Sequence, residues 1–297
     1  MKKYQQWLVI LLSAQLLLAA AIFTVGKFGQ SQVKLEPLLS GTKAEIDQLV
    51  FSDATKKVTL KKSANEWQIG ELKQLPADKQ KVEDLLAKLE ATQLRWPVTN
   101  TKSSHERFEV ADAKFQRKVE YYQGDKKRGN FYLGTSPGFK QIHLRNGSED
   151  KVYVAELTQT DFSNSPSDWL SKTLISATNI KSIKGQNYEI TKTNNQWALA
   201  NSQEKLDVGK VEALVASLTT LQAIDIVDEP QQADKVTLDV VGDSTWHYEF
   251  LQKDNSAYVK RSDRNQWFKI NPEDFTKITG VKLSDMILKQ DQKPTAP

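Results

Sequence analysis

Asp78 to Leu89 reads DKQKVEDLLAKL, and further along Asp207 to Leu218 reads DVGKVEALVASL. In the first stretch Val82, Leu85, Leu86 and Leu89 stand at +4, +7, +8 and +11 from Asp78, the spacing of one apolar helical stripe. In the second, Val211, Leu214, Val215 and Leu218 stand at the same offsets from Asp207. Each aspartate is placed as an N-cap, its carboxylate accepting from a first-turn amide that has no partner within the helix. The surroundings agree. Trp67-Gln-Ile69 precedes the first stretch, after a turn at Ser63-Ala-Asn65, and Trp197-Ala-Leu199 precedes the second, after a turn at Thr193-Asn-Asn195. Asp161-Phe162 follows one and Asp274-Phe275 the other. A helix after a hairpin is common, so the register match alone is weak. The tryptophan and the Asp-Phe pair in the same order make duplication the better reading.

The fold class predicted is therefore α+β: two related halves, each an antiparallel β-sheet packed with an amphipathic helix. The halves are set at residues 46–175 and 176–289, the second shorter in its later portion. Strands are expected at Ile46–Phe51, Val58–Lys61, Val119–Tyr122, Asn130–Leu133, Gln141–Arg145 and Lys151–Val154. Asn146-Gly147 is a strong hairpin signal, because both residues tolerate positive φ. In the second half the strands expected are Val236–Val240, Trp246–Phe250, Ala257–Lys260 and Trp267–Ile270.

Ahead of both halves, Leu8 to Val25 reads LVILLSAQLLLAAAIFTV, without a charge. At about 1.5 Å per residue these residues make roughly 27 Å of helix, close to the hydrocarbon thickness of a bilayer. Ala19-Ala20-Ala21 resembles a cleavage site, but Ile22, Phe23 and Val25 continue the apolar run, which favours a retained anchor. The organisation expected is a cytoplasmic tail at 1–6, a transmembrane anchor at 7–26, a connector at 27–45 and a disordered tail at 290–297. Lys2 and Lys3 before the span and Lys27 and Lys34 after it leave the positive-inside bias weak. Orientation rests on the size of the second part, so the body is expected in the periplasm of a bacterial inner-membrane protein. Gln15 falls near the bilayer midplane, where an amide prefers a partner. Ser13, Gln15 and Ala19 are therefore the candidate helix–helix contact.

Composition closes several routes. The chain has 297 residues, 39% hydrophobic, enough for a packed core but not for further spans. It has no cysteine, which removes disulfides, thiol nucleophiles and Cys-zinc sites. A net charge of +4 is too mild to announce nucleic acid. The pairs Lys56-Lys57, Lys61-Lys62 and Lys126-Lys127 read as solvated strand ends and turns.

The catalytic patterns fail on their chemistry. Gly134-Thr-Ser136-Pro-Gly138 matches G-x-S-x-G, but the residue that should supply an oxyanion-binding N–H is Pro137, which has none. A strand rather than a helix is expected to follow. Gly124 to Gly129 has Walker-like spacing, yet Asn130-Phe131 stands where Lys-Ser/Thr would hold phosphate and magnesium. Of the three histidines, His143 alternates with Ile142 and Leu144, and His247 with Trp246 and Tyr248. Both are expected to face water. Trp246, Tyr248 and Phe250 form an aromatic stripe read as core rather than as a sugar-stacking platform. No catalytic residue, cofactor or metal site is assigned.

The anchor, Pro37-Leu38-Leu39, the Trp67 hairpin, Pro76-Ala-Asp78 with its helical stripe, Leu133-Gly134 and Trp169 to Leu174 together resemble domain-of-unknown-function family 4340, DUF4340. That resemblance implies an accessory protein found beside ABC transporters of the gliding-motility type. Its implied partners are a permease and auxiliary subunits with periplasmic domains. It brings no catalytic residues. The function expected is a non-enzymatic periplasmic accessory subunit of a membrane transport assembly, acting through protein–protein contacts. The alternative is an envelope module binding glycan or lipid without a transporter.

Overall fold

The structure is a computed structural model and describes residues 2–28, 35–230 and 234–288. It is α+β, with two large antiparallel sheets and helices. The chain divides into two compact units, one from Met1–Ile46 and Leu86–Phe162, the other from Asp47–Leu85 and Ser163–Pro297. The tail expected at 290–297 lies outside the described residues.

The helix α1 spans Lys2–Phe28. Its described side chains are Tyr4, Gln6 and those from Trp7 to Ile22, and all of them are exposed. Leu8 to Leu12, Leu16 to Leu18 and Ile22 are among the large apolar groups left facing outward. Among the described residues no helix is long and apolar enough to cross a membrane. The side chains of residues 23–25, which complete the apolar run read from the sequence, are outside that description.

Helix α2 runs from Lys79 to Ala91 and begins as the sequence predicts, with the Asp78 carboxylate accepting from the Lys81 N–H at 3.1 Å. Val82, Leu85, Leu86 and Leu89 are all buried. A cap of this kind contributes about 1 kcal/mol, and each buried aliphatic side chain about 2 kcal/mol against exposure.

In the first unit, the strands Arg117–Gln123, Lys126–Leu133, Ile142–Asn146, Val152–Ala155 and Pro97–Thr99 lie side by side in that order, all antiparallel. Val119, Tyr121, Phe131, Leu144, Tyr153 and Phe162 fill one side, with Phe131 and Phe162 meeting edge to face at 5.8 Å. The short helix α3 (His105–Phe108) and the strand pair Val110–Ala111 with Lys114–Phe115 bring a second apolar cluster, in which Val110 packs with Tyr132 and Val152. The strand Ile142–Asn146 is consequently buried along nearly its whole length. Leu38 and Leu39 of the connector are buried too, and the Leu38 N–H donates to the Thr92 carbonyl at 3.1 Å.

Two readings are corrected here. The strand expected from Asn130 begins earlier, at Lys126, because Arg117–Gln123 pairs with it as far as Lys126 and leaves only Gly124-Asp125 to reverse the chain. Neither Asn146 nor Gly147 takes positive φ. The chain reverses through a wider loop in which the Glu149 N–H donates to the Asn146 carbonyl at 3.0 Å. Gly147 instead lies against the Asn130 side-chain amide, which a Cβ there would displace.

In the second unit, Gln48–Ser52, Lys57–Ser63, Glu66–Ile69 and Leu75–Pro76 form an antiparallel run. An eight-stranded sheet lies wholly in this unit, in the order Gln196–Leu199, Glu189–Thr193, Ser182–Lys184, Lys235–Val241, Thr245–Lys253, Ser256–Arg261, Trp267–Ile270 and Asp225–Val227. Helix α4 (Val208–Thr219) is capped by Asp207, whose carboxylate accepts from the Lys210 N–H. Val211, Leu214 and Leu218 are buried and Val215 is half-buried. Helices α5 (Pro272–Thr279) and α6 (Leu283–Met286) bury Ile278 and Met286. Trp246, Tyr248 and Phe250 all lie inside, and the Tyr248 hydroxyl donates to the Ile175 carbonyl at 3.0 Å. The stripe is core.

Candidate functional site

Two hairpin–helix motifs repeat one side-chain arrangement. In the first, Ala64 and Asn65 both adopt left-handed φ (47° and 69°), reversing the chain in two residues and setting Lys62 opposite Trp67. In the second, Asn194 and Asn195 do the same (49° and 63°) and set Lys192 opposite Trp197. The Trp67 Nε1–H donates to Oε1 of Glu83 at 3.0 Å, while Lys62 Nζ stands 4.0 Å from that oxygen and 5.9 Å from the indole centroid. Trp197 Nε1–H donates to Oε1 of Glu212 at 2.8 Å, with Lys192 Nζ 3.8 Å from that oxygen and 5.5 Å from the ring. Each glutamate thus holds the polar tip of an indole whose body is buried.

The backbone around each helix start repeats as well. The Asp78 N–H donates to the Trp169 carbonyl and the Ser171 N–H to the Pro76 carbonyl, at 2.7 and 2.9 Å. The Asp207 N–H donates to the Met286 carbonyl and the Leu288 N–H to the Lys205 carbonyl, again at 2.7 and 2.9 Å. Ala77 bridges Leu170, and Leu206 bridges Ile287.

A cleft opens beside each tryptophan. The first, about 350 Å³, lies between Glu66-Trp67, the start of α2 and Ser171 to Thr173. The second, about 550 Å³, lies between Asn195 to Ala198, Ser202 to Leu206, Val208 and Leu288.

The residues singled out from sequence do not gather in these clefts. In α1, Gln15 and Ala19 are a turn apart on one face, and all three candidates are exposed. Ser13, two residues before Gln15, is about 160° around the helix from it. Ser136 sits in the loop between Lys126–Leu133 and Ile142–Asn146, its hydroxyl donating to the carbonyls of Gly138 and Gln141 at 2.8 and 2.7 Å. It is a turn residue. Gly134 before it allows a close crossing, since a Cβ there would stand 1.9 Å from the Phe108 carbonyl oxygen.

His143 corrects the expectation that it faces water. It is 9% exposed, packs tilted against Phe108 with ring centroids 4.4 Å apart and places Nδ1 at 2.8 Å from the Thr135 carbonyl oxygen. Burial pushes its pKa down. His247 is exposed as expected, its Nδ1 2.7 Å from Asp239. Arg145, also buried, donates to the Val110 carbonyl and to Asp112, each at 2.7 Å. That guanidinium holds the Asp112 carboxyl below its usual range. Burial, with Asp112 beside it, pushes the Tyr132 phenol up to about 12. Among the described residues no group of three or more His, Asp or Glu side chains could hold a metal ion.

Sequence reading missed the Lys-Trp-Glu sets, although the signal was present. Lys62 and Lys192 each precede their tryptophan by five residues, and Glu83 and Glu212 each follow their capping aspartate by five.

Antiparallel sheets, capped helices and paired indole–carboxylate clamps define a class: an α+β body whose repeated feature is a packed hairpin–helix corner. The family described as Domain of unknown function (DUF4340) matches residues 67–240, more than half of the chain, and the chain belongs to it. Helix α1 and Pro37-Leu38-Leu39 lie outside the matched residues. No curated protein and no solved structure matches the chain.

Proposed function

We propose that this protein is a non-enzymatic accessory subunit of an ABC-type transport assembly, held in the bacterial inner membrane by α1, with its body in the periplasm. The observation that carries the reading is α1 itself. Its leucines and isoleucines from Leu8 to Ile22 face outward all around the helix, which suits lipid far better than water. Gln15 and Ala19 then form the face offered to another membrane helix. The permease and its auxiliary subunits with periplasmic domains are the partners.

We further read the body as a duplication. The two Lys-Trp-Glu sets, the two Asp-capped helices and the matching hydrogen bonds at Asp78 and Asp207 support it. Repeated corners that carry no reactive group are suited to holding other proteins.

The test is affinity purification of the tagged full chain from membranes in mild detergent, alongside C-terminal fusions to reporters active on one side of the membrane only. Co-purification of transporter subunits and activity of a periplasmic reporter are the expected results. A lone monomer, or a C-terminus active in the cytoplasm, would overturn the reading.

A further inference from the structure

The two hairpin–helix motifs differ in what lies along the outer strand. In the first, the outer strand Glu66–Ile69 is covered by the chain's own next segment: Leu75–Pro76 pairs with it, and the Gln74 and Ala77 N–H groups donate to the carbonyls of Ile69 and Trp67 at 3.0 and 2.7 Å. In the second, the outer strand Gln196–Leu199 ends its sheet, and among the described residues no strand pairs with its far side. The Ala200 N–H points inward to the Glu189 carbonyl, so by alternation the N–H and C=O groups of Trp197 and Leu199 point outward, and Trp197 lines the larger cleft.

The cause lies in the connecting loop. Gly70 to Pro76 gives the first motif seven residues, two of which (Lys73 and Gln74) are left-handed and bring the chain back along the strand. Ala200 to Lys205 gives the second only six. Aligning the two by their shared hydrogen bonds sets Glu204 where the first motif has Leu75. Leu75 is buried on its edge, whereas Glu204 is exposed. The same alignment sets Val208 and Leu288 where the first motif has Lys79 and Ser171. Both apolar residues line the open cleft and are exposed, at 58% and 49%. Trp197 and Leu199 are each 8% exposed, against 1% and 0% for Trp67 and Ile69.

We propose that the outer edge of Gln196–Leu199 binds an extended segment of a partner protein, which adds as an antiparallel strand and sets a leucine-sized side chain opposite Leu199, next to the cleft that Trp197, Val208 and Leu288 line. The chain's own Leu75–Ala77 shows the chemistry such a segment needs: backbone groups for the outward N–H and C=O of residues 197 and 199, and an apolar side chain at the position of Leu75. An open strand edge is a template for pairing, and an open edge flanked by exposed apolar residues selects a protein segment over a sugar or a phosphate. The inference rests on the reading of the body as a protein-contact module, but it needs neither membrane nor transporter.

The probe is the synthetic peptide ELKQLPADKQ, a copy of residues 71–80, added to the full chain in detergent. Amide hydrogen exchange is read at Trp197 and Leu199. Saturating peptide is expected to slow exchange at both amides at least tenfold. Methylating the peptide nitrogens that correspond to Gln74 and Ala77, or replacing its first proline-adjacent leucine by glutamate, is expected to abolish the effect. The paired surface changes Val208→Lys and Leu288→Ser, which restore the first motif's residues, are expected to weaken binding at least fivefold without lowering the melting temperature. Three results would overturn the proposal: no slowing at millimolar peptide, equal binding of the methylated peptide, or amides at 197 and 199 already as protected in the free chain as those at 67 and 69. Any of these would leave the transporter reading standing, since co-purification tests that separately.

Discussion

The Trp197 indole N–H donates to the Glu212 carboxylate at 2.8 Å, across the corner where a hairpin meets the first turns of α4. Trp67 and Glu83 make the same bond at 3.0 Å on α2. Each bond fixes the angle at which a helix leaves its hairpin. The two corners share this geometry residue by residue, and they differ in the length of the connecting loop and in how closely the next segment pairs along the tryptophan's strand.

That difference sets the first prediction. Trp67 is only 1% exposed, with Leu75–Pro76 paired along its strand, so Trp67→Ala should cost about 3–5 kcal/mol in chemical denaturation. Trp197→Ala, beside an open cleft, should cost measurably less. Equal losses would show that the second corner is as tightly packed as the first.

Gly134→Ala should be strongly destabilising, because the Phe108 carbonyl occupies the place of the new methyl group. A loss of about 2 kcal/mol or more is expected, the cost of forcing an atom into a packed crossing. Ser136→Ala, which removes only loop hydrogen bonds, should cost about 1 kcal/mol or less.

Acid stability should depend on Lys88. Burial pushes the Asp161 carboxyl up, but the Lys88 ammonium at 2.6 Å and the Thr158 N–H and hydroxyl outweigh it, and the net shift is downward. A carboxyl depressed in the folded state contributes stability in full above its unfolded value, near 4, and loses it as pH falls through the folded value. Lys88→Met should therefore lower stability at neutral pH, move the midpoint of acid unfolding to higher pH and flatten the fall in stability below about pH 4, leaving the fully protonated acid extreme unchanged.

Tyr248→Phe removes a buried hydroxyl and leaves the Ile175 carbonyl without that donor. A cost of about 1–2 kcal/mol is expected. Binding of soluble glycans should be unaffected, because the aromatic stripe is interior. A change in glycan binding with stability intact would revive the sugar-platform alternative.

Gln15→Leu should reduce recovery of transporter subunits while leaving the chain in the membrane fraction. Ser13→Ala, about 160° around the helix, should not. Equal loss in both variants would argue against a single contact face.

Local features were legible from the residues alone because they depend on near neighbours. The Asp78 and Asp207 caps, the stripes Val82 to Leu89 and Val211 to Leu218, and the turns at Asn65 and Asn195 each follow from spacing and backbone preference within a few positions. So does the rejection of Ser136 as a nucleophile, since Pro137 has no N–H to offer. Tertiary structure decided what periodicity cannot carry, namely what covers the other side of a strand. Alternation reports one apolar face of Ile142–Asn146, but His105 to Phe115 folds over the second face and buries His143 with it. The same holds for the open edge. Gln196–Leu199 and Glu66–Ile69 have the same pattern, and only the return path of a loop one residue shorter leaves the backbone of Trp197 and Leu199 facing outward.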